Sequence, residues 1–169
     1  VHLTVEQTYP ASVHDVAAML ADAAFIRWRA ERTTGRGTID SADVDLDGRG
    51  GFTVLVRRTL PIDMIPVQAR PFIGDRVEIR QAEAWEPPQG ADRRVGTVAV
   101  EITGAPVFVT GTVKLEATED GGTRKTYVGD VRATMPLFAS VVETATINQL
   151  RKTLAAEETA GREWLAGAR

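Results

Sequence analysis

The chain has 169 residues, 43% hydrophobic and 25% charged, the balance of a globular protein long enough to bury a core. Its 20 Lys and Arg against 23 Asp and Glu leave a net charge of −3, so nucleic acid is not an expected partner. The absence of cysteine, with only His2 and His14 as histidines, excludes disulfides, thiolate chemistry and a multi-histidine metal centre, and no cofactor or metal is implied.

Residues 3 to 9 alternate with period two, predicting a first strand with Leu3, Val5 and Tyr9 on one face. Pro10 ends it. Ser12 followed by Asp15 is an acidic variant of a capping box and opens a short helix through Val16, Met19 and Leu20. Asp22 then caps a second helix whose Phe25 and Trp28 form one aromatic face, while Arg27, Arg29, Glu31 and Arg32 are expected to face water.

From residue 34 to 135, turn chemistry at Asp47-Gly48, Pro87 to Gly90, Gly104 to Pro106 and Asp120 to Gly122 separates strand-like segments. Six further strands are predicted, near 35–46, 51–60, 75–86, 93–103, 107–118 and 123–135, joined as an antiparallel meander. Residues 61–74 break the pattern with three prolines and six large apolar residues. They are too rich in proline for a strand and too apolar for a solvated loop, so they must pack on something. Beyond Pro136, Leu137 to Leu165 reads as one long helix of roughly 45 Å. No internal repeat or linker divides the chain, and residues 1–169 are read as one domain.

This order of elements, strand, two short helices, six strands and a long helix, resembles the helix-grip arrangement of the START-like superfamily (SRPBCC, Bet v 1-like or polyketide cyclase-like). More closely, the chain resembles an actinobacterial family of uncharacterised START-like proteins, a DUF2505-like domain of unknown function. The residues that carry the likeness are Tyr9 to Ser12, Leu60-Pro61, Pro71 to Gly74, Glu83 to Trp85, Gly129 to Val131, Met135 to Leu137, Glu143 and Glu163 to Leu165. The resemblance implies an α+β fold in which a curved seven-stranded antiparallel sheet wraps a long C-terminal helix and leaves a cavity between them. None of these residues forms a catalytic signature, and the superfamily hosts carriers, cyclases, receptors and co-chaperones.

Alternation places Phe52, Val54, Val56, Arg58 and Leu60 on the inner face of the third strand, and Val77, Ile79, Gln81, Glu83 and Trp85 on that of the fourth. The later strands offer Val98, Val100, Val109, Val113, Tyr127 and Val131. Arg58, Gln81 and Glu83 interrupt otherwise apolar stripes. Either they form the polar end of a cavity and orient a ligand's head, or a bulge turns them outward, or Arg58 and Glu83 neutralise each other at the sheet rim.

On the last helix Glu143, Ile147, Leu150 and Leu154 share a stripe, which makes Glu143 an anion favoured at a helix start, a ligand contact or a general acid. Phe138, Val141, Val142 and Ala145 form a second apolar group on the same helix. The Arg93-Arg94 pair is expected to be solvated, and Trp28 and Trp164 to belong to the core.

The residues expected to touch a ligand are thus Arg58, Met64, Phe72, Gln81, Glu83, Trp85, Val100, Val109, Tyr127, Val131, Glu143 and Ile147. No catalytic residue is assigned. The expected partner is a small hydrophobic or amphipathic molecule, such as a lipid, isoprenoid or polyketide-like compound, bound by a monomer or weak homodimer. Two alternatives stay open: a cyclase or dehydratase using Glu143 or Glu83 as acid or base, and a co-chaperone-like module binding another protein. No apolar run is long enough to span a bilayer and no secretory signal is evident, so cytoplasm is the expected compartment. Residues 61–74 are expected to form a mobile lid, with Met64, Ile65, Val67, Phe72 and Ile73 facing inward.

Overall fold

The computed structural model describes residues 1–65 and 67–168. Seven strands, β1 (His2–Tyr9), β2 (Thr38–Leu46), β3 (Phe52–Leu60), β4 (Val77–Trp85), β5 (Arg93–Thr103), β6 (Val107–Ala117) and β7 (Thr123–Ala133), form one antiparallel sheet. The spatial order β1-β7-β6-β5-β4-β3-β2 makes β2 to β7 a continuous meander, with β1 added beside the last strand. Helices α1 (Val13–Leu20) and α2 (Ala23–Thr33) follow β1, and α3 (Ala139–Leu165) closes the chain. This is the helix-grip arrangement, α+β, that the order of elements implied.

Local chemistry sets the boundaries. The Ser12 hydroxyl accepts from Asp15 N at 3.1 Å and the Asp22 carboxylate from Ala24 N at 2.9 Å. Each such cap contributes about 1 kcal/mol to its helix. Between β2 and β3 the Asp47 carboxylate gathers the backbone N–H groups of Arg49 and Gly51, at 2.7 and 2.9 Å, and closes the predicted turn. The helix after Pro136 begins two residues later than expected. Leu137 takes the left-handed conformation, φ 69°, and lies 93% exposed, so it and Phe138 belong to the turn before α3. With 27 residues, α3 is about 40 Å long.

Gly111 and Gly129 face each other across β6 and β7, where a Cβ would come within 2.3 and 2.5 Å of neighbouring carbonyl oxygens. A side chain here would push the strands apart, so the pair lets the sheet fold closely under α3. Gly161 plays the same part on the helix, since a Cβ there would lie 2.5 Å from the Tyr9 ring.

Two apolar clusters fill the space between sheet and helices. One joins α1, α2 and the C-terminal half of α3 to one end of the sheet and contains Tyr9, Phe25, Phe52, Trp85, Tyr127 and Trp164, with Trp28 packed against it. The other, at the opposite end, is built from Ala69, Val100, Val107, Val109, Val131 and Val142, with Ile65, Ile73, Ile79, Ile102 and Ile147 against it.

Candidate ligand cavity

The aliphatic end is not filled. Between the inner faces of β3 to β6 and the N-terminal half of α3 lies a cavity of about 270 Å³. Its walls are mostly Val, Ile, Leu and Ala, with Ile79, Val100, Ile102, Val107 and Val109 from the sheet and Val142, Ala145, Leu150 and Leu154 from the helix, while Arg58, Gln81, Thr146, Gln149 and Thr153 add polar groups. A smaller void of about 40 Å³ adjoins it, sharing Gln81, Val100, Val109, Leu150 and Leu154 and reaching Tyr127. Branched aliphatic side chains are too short to meet across this gap, whereas at the other end aromatic rings do meet. The Trp164 ring lies 5.3 Å from Phe25 and 5.4 Å from Trp28, and Phe52 stacks on Trp85 at 6.1 Å.

The segment between β3 and β4 covers the mouth. It forms two short turns, Ile62–Met64 and Arg70–Phe72, tied together by the Arg70 guanidinium, which donates to the carbonyls of Ile65 at 3.0 Å and Asp63 at 3.2 Å. Met64, Ile65, Ala69 and Ile73 line the cavity. Val67 and Phe72 do not, contrary to expectation: Val67 is 66% exposed and Phe72 42%. The Phe72 ring instead meets Phe138, 6.4 Å away, so the segment leans on the turn that leads into α3. Period-two reasoning has no purchase on a segment of 3₁₀ turns.

A polar belt separates the hollow end from the packed one. Arg58 sits opposite Ile79 in the β3–β4 ladder and reaches Gln81, Nη2 to Oε1, at 3.4 Å. Gln81 approaches the Glu157 carboxylate at 3.5 Å, and Glu157 pairs with Arg29 at 3.7 Å. Behind it, Glu83 accepts from the Tyr127 hydroxyl at 2.6 Å, from Trp85 Nε1 at 3.2 Å and from Lys125 Nζ at 3.4 Å. Arg29, Arg58, Glu83, Lys125 and Glu157 are all buried.

Electrostatics in the belt follow from burial and neighbours. Burial alone would raise the Glu83 carboxyl, but Lys125, Arg29 and the hydrogen bonds from Tyr127 and Trp85 outweigh it and hold the group below its ordinary value. Lys125 is lowered by burial, which the nearby Glu83 charge only partly offsets. Tyr127 is raised by burial and by the same carboxylate, and so keeps its proton. Arg58 is lowered by burial, with Glu157 opposing the shift and the like charge of Arg29 adding to it.

Of the residues expected to touch a ligand, Arg58, Met64, Gln81, Val100 and Val109 line the cavity, and Tyr127 lines the adjoining void. Glu83 belongs to the belt and holds Trp85 behind it, neither lining the cavity, and Val131 and Ile147 belong to the packed wall. Glu143 is not aimed inward: its carboxylate accepts from the backbone N–H of Ala133 at 2.9 Å and ties α3 to the end of β7. The sequence reading missed Arg29, Lys125 and Glu157.

Arg29 does not face water. It lies one helical turn after Phe25, over that ring at 5.6 Å, on the buried face of α2. Arg94 is also buried rather than solvated; it extends the inner stripe of β5, donates to the carbonyls of Gly50 and Glu86, and lies 5.2 Å from the centre of the Phe52 ring.

The model of a family described as a protein of unknown function, DUF2505, matches residues 4–165. The chain belongs to that family. No curated protein sequence matches it significantly. Among solved structures, the TTHA0849 protein of Thermus thermophilus superposes with a TM-score of 0.60 at 16% identity over 100% of both chains. The Zhui aromatase/cyclase of a Streptomyces species, strain R1128, gives 0.60 at 14% over 100% of this chain and 99% of its own. A START superfamily protein of Mycobacterium smegmatis gives 0.56 at 13%, covering 97% and 98%. At such identities the likeness shows the START-like fold. Among the described residues, no helix is long and apolar enough to cross a membrane.

Proposed function

We propose that this DUF2505 member binds a small hydrophobic or amphipathic molecule, of lipid, isoprenoid or polyketide-like character, in the cavity between sheet and α3. The observation that carries this reading is the void itself: about 270 Å³ walled mostly by aliphatic side chains, in a protein whose other end is closed by packed aromatic rings. Interiors ordinarily pack to the density of organic crystals, so an apolar space of this size forfeits dispersion contacts that a guest would restore. The described residues of segment 61–74 support the reading as a lid, because Met64, Ile65, Ala69 and Ile73 line the cavity while the Phe72–Phe138 pair at its edge is half-exposed.

The acid–base alternative draws less support. A proton-transfer carboxyl in an apolar site needs a raised pKa, whereas Glu83 is held low by its cationic neighbours and Glu143 is engaged by Ala133 N. The outer face of the sheet carries Arg57, Glu78, Glu101 and Arg132 exposed, which disfavours an apolar protein-docking surface there.

The test is native mass spectrometry of the purified protein, with thermal shifts across a panel of lipids, isoprenols and aromatic polyketides. Binding predicts a co-purifying apolar compound or a rise in Tm with members that fit the cavity. No adduct, and no shift from any member, would overturn the proposal.

A further inference from the structure

The buried belt leaves one of its cationic side chains without a carboxylate partner at ion-pair distance among the described residues. Arg29, Arg58 and Lys125 face only two buried carboxylates, Glu83 and Glu157. Glu83 is matched to Lys125 and Glu157 to Arg29, which leaves Arg58 without a carboxylate at ion-pair distance among the described residues. Arg58 is 6% exposed, and its Nε–H finds no hydrogen-bond acceptor among the described residues. Its hydrogen-bond partner among the described residues is the neutral Gln81, at the long distance of 3.4 Å, and the charge of Glu157 also reaches it. Among the described residues it is the only ionisable side chain lining the cavity. Arg70, in the covering segment, already donates to two carbonyls, and Glu143 is held at β7.

A buried guanidinium with an unmet donor, on a residue that lines a largely aliphatic space, is a half-built ion pair. We infer that the ligand is a monoanion, an aliphatic carboxylic acid whose carboxylate docks on Arg58 beside Gln81 and whose chain fills the cavity toward Ile102 and Val142. This rests on the ligand-binding reading above and adds the head group. The planar fork of Arg58 matches a carboxylate, and a single negative charge answers a single guanidinium, whereas a phosphate monoester at neutral pH carries more. With about 30 Å³ to each water-sized unit, the main void holds a guest of roughly ten non-hydrogen atoms, the size of an eight-carbon acid.

The experiment is calorimetric titration of the full chain at neutral pH with octanoate, 1-octanol, octylammonium and octyl phosphate, repeated on Arg58→Met. Octanoate should bind wild type at least tenfold more tightly than 1-octanol, with octylammonium weakest. In Arg58→Met that preference should fall to within twofold while 1-octanol binding persists. The wild-type series decides the matter even if the variant folds poorly. If 1-octanol equals or exceeds octanoate on wild type, the head-group inference fails and the cavity reading stands. Octyl phosphate binding tenfold more tightly than octanoate would overturn the carboxylate assignment in favour of phosphate. If no probe binds, both readings fall.

Discussion

At one end of the sheet all three tryptophans, both tyrosines, Phe25 and Phe52 close the space under α3 ring against ring; at the other end Val, Ile, Leu and Ala surround a void, and Phe72, Phe108 and Phe138 lie half-exposed outside it. The same sheet and the same helix pass through both ends, so the difference comes from side-chain size rather than backbone. Aromatic residues bring enough volume to bridge sheet and helix, and short branched ones do not. One end therefore holds the fold together while the other leaves a void. The belt of Arg58, Gln81, Glu83, Lys125, Glu157 and Arg29 is the boundary at which one regime becomes the other.

The largest expected effect is at that boundary. Glu83→Gln strips Lys125 of its carboxylate, and leaving a buried ammonium unpaired typically costs about 3–5 kcal/mol. Adding Lys125→Met should recover much of that loss, which urea midpoints of the two single variants and the double variant will measure. The same pair sets a pH dependence. Because the folded Glu83 pKa lies below its unfolded value of about 4.3, its contribution is present above that pH and is lost as the pH falls further through the folded value. Wild type should lose stability on acidification through this window, and the double variant should show a shallower fall.

Next in size is one substitution made at both ends of a single strand. Val113→Phe adds volume to the filled end and should cost about 1–3 kcal/mol by overpacking, whereas Val109→Phe enters the void and should leave the urea midpoint nearly unchanged. Val109→Phe should also abolish binding of 1-octanol. Equal losses at both sites would erase the distinction between the two ends.

Smaller still is the effect at the mouth. Phe72→Ala and Phe138→Ala remove half-exposed rings that touch chiefly each other, so each should cost less than about 1 kcal/mol. Ligand release, followed by stopped-flow displacement, should nevertheless quicken several-fold. A large stability loss with an unchanged off-rate would show that the segment is a static plug rather than a lid.

The architecture was legible because alternation and turn residues are local signals: the inner stripes of β3 and β4 came out residue for residue, as did the caps at Ser12 and Asp22. The charged belt was less so. Lys125 precedes Tyr127 by two on the same face, and Glu157 follows Leu154 by three on the helix stripe, so both positions were available to the same periodicity. Charge ordinarily marks solvent, and only the tertiary pairing of Glu157 with Arg29 and of Lys125 with Glu83 reverses that expectation. The inward lining of the covering segment was half legible. Its composition demanded cover, but which of Ile73 and Phe72 turned inward depends on 3₁₀ geometry that no period announces.

The central claim, that one end is a binding space and the other a structural core, is tested most directly by methyl NMR of the valines and isoleucines during titration with 1-octanol. Saturable shifts confined to the valines and isoleucines that line the cavity, among them Ile73, Val100, Ile102, Val109 and Val142, with Val54, Val56 and Val113 unmoved, are the predicted result. Shifts concentrated at the packed end, or no saturable shift at all, would contradict the account.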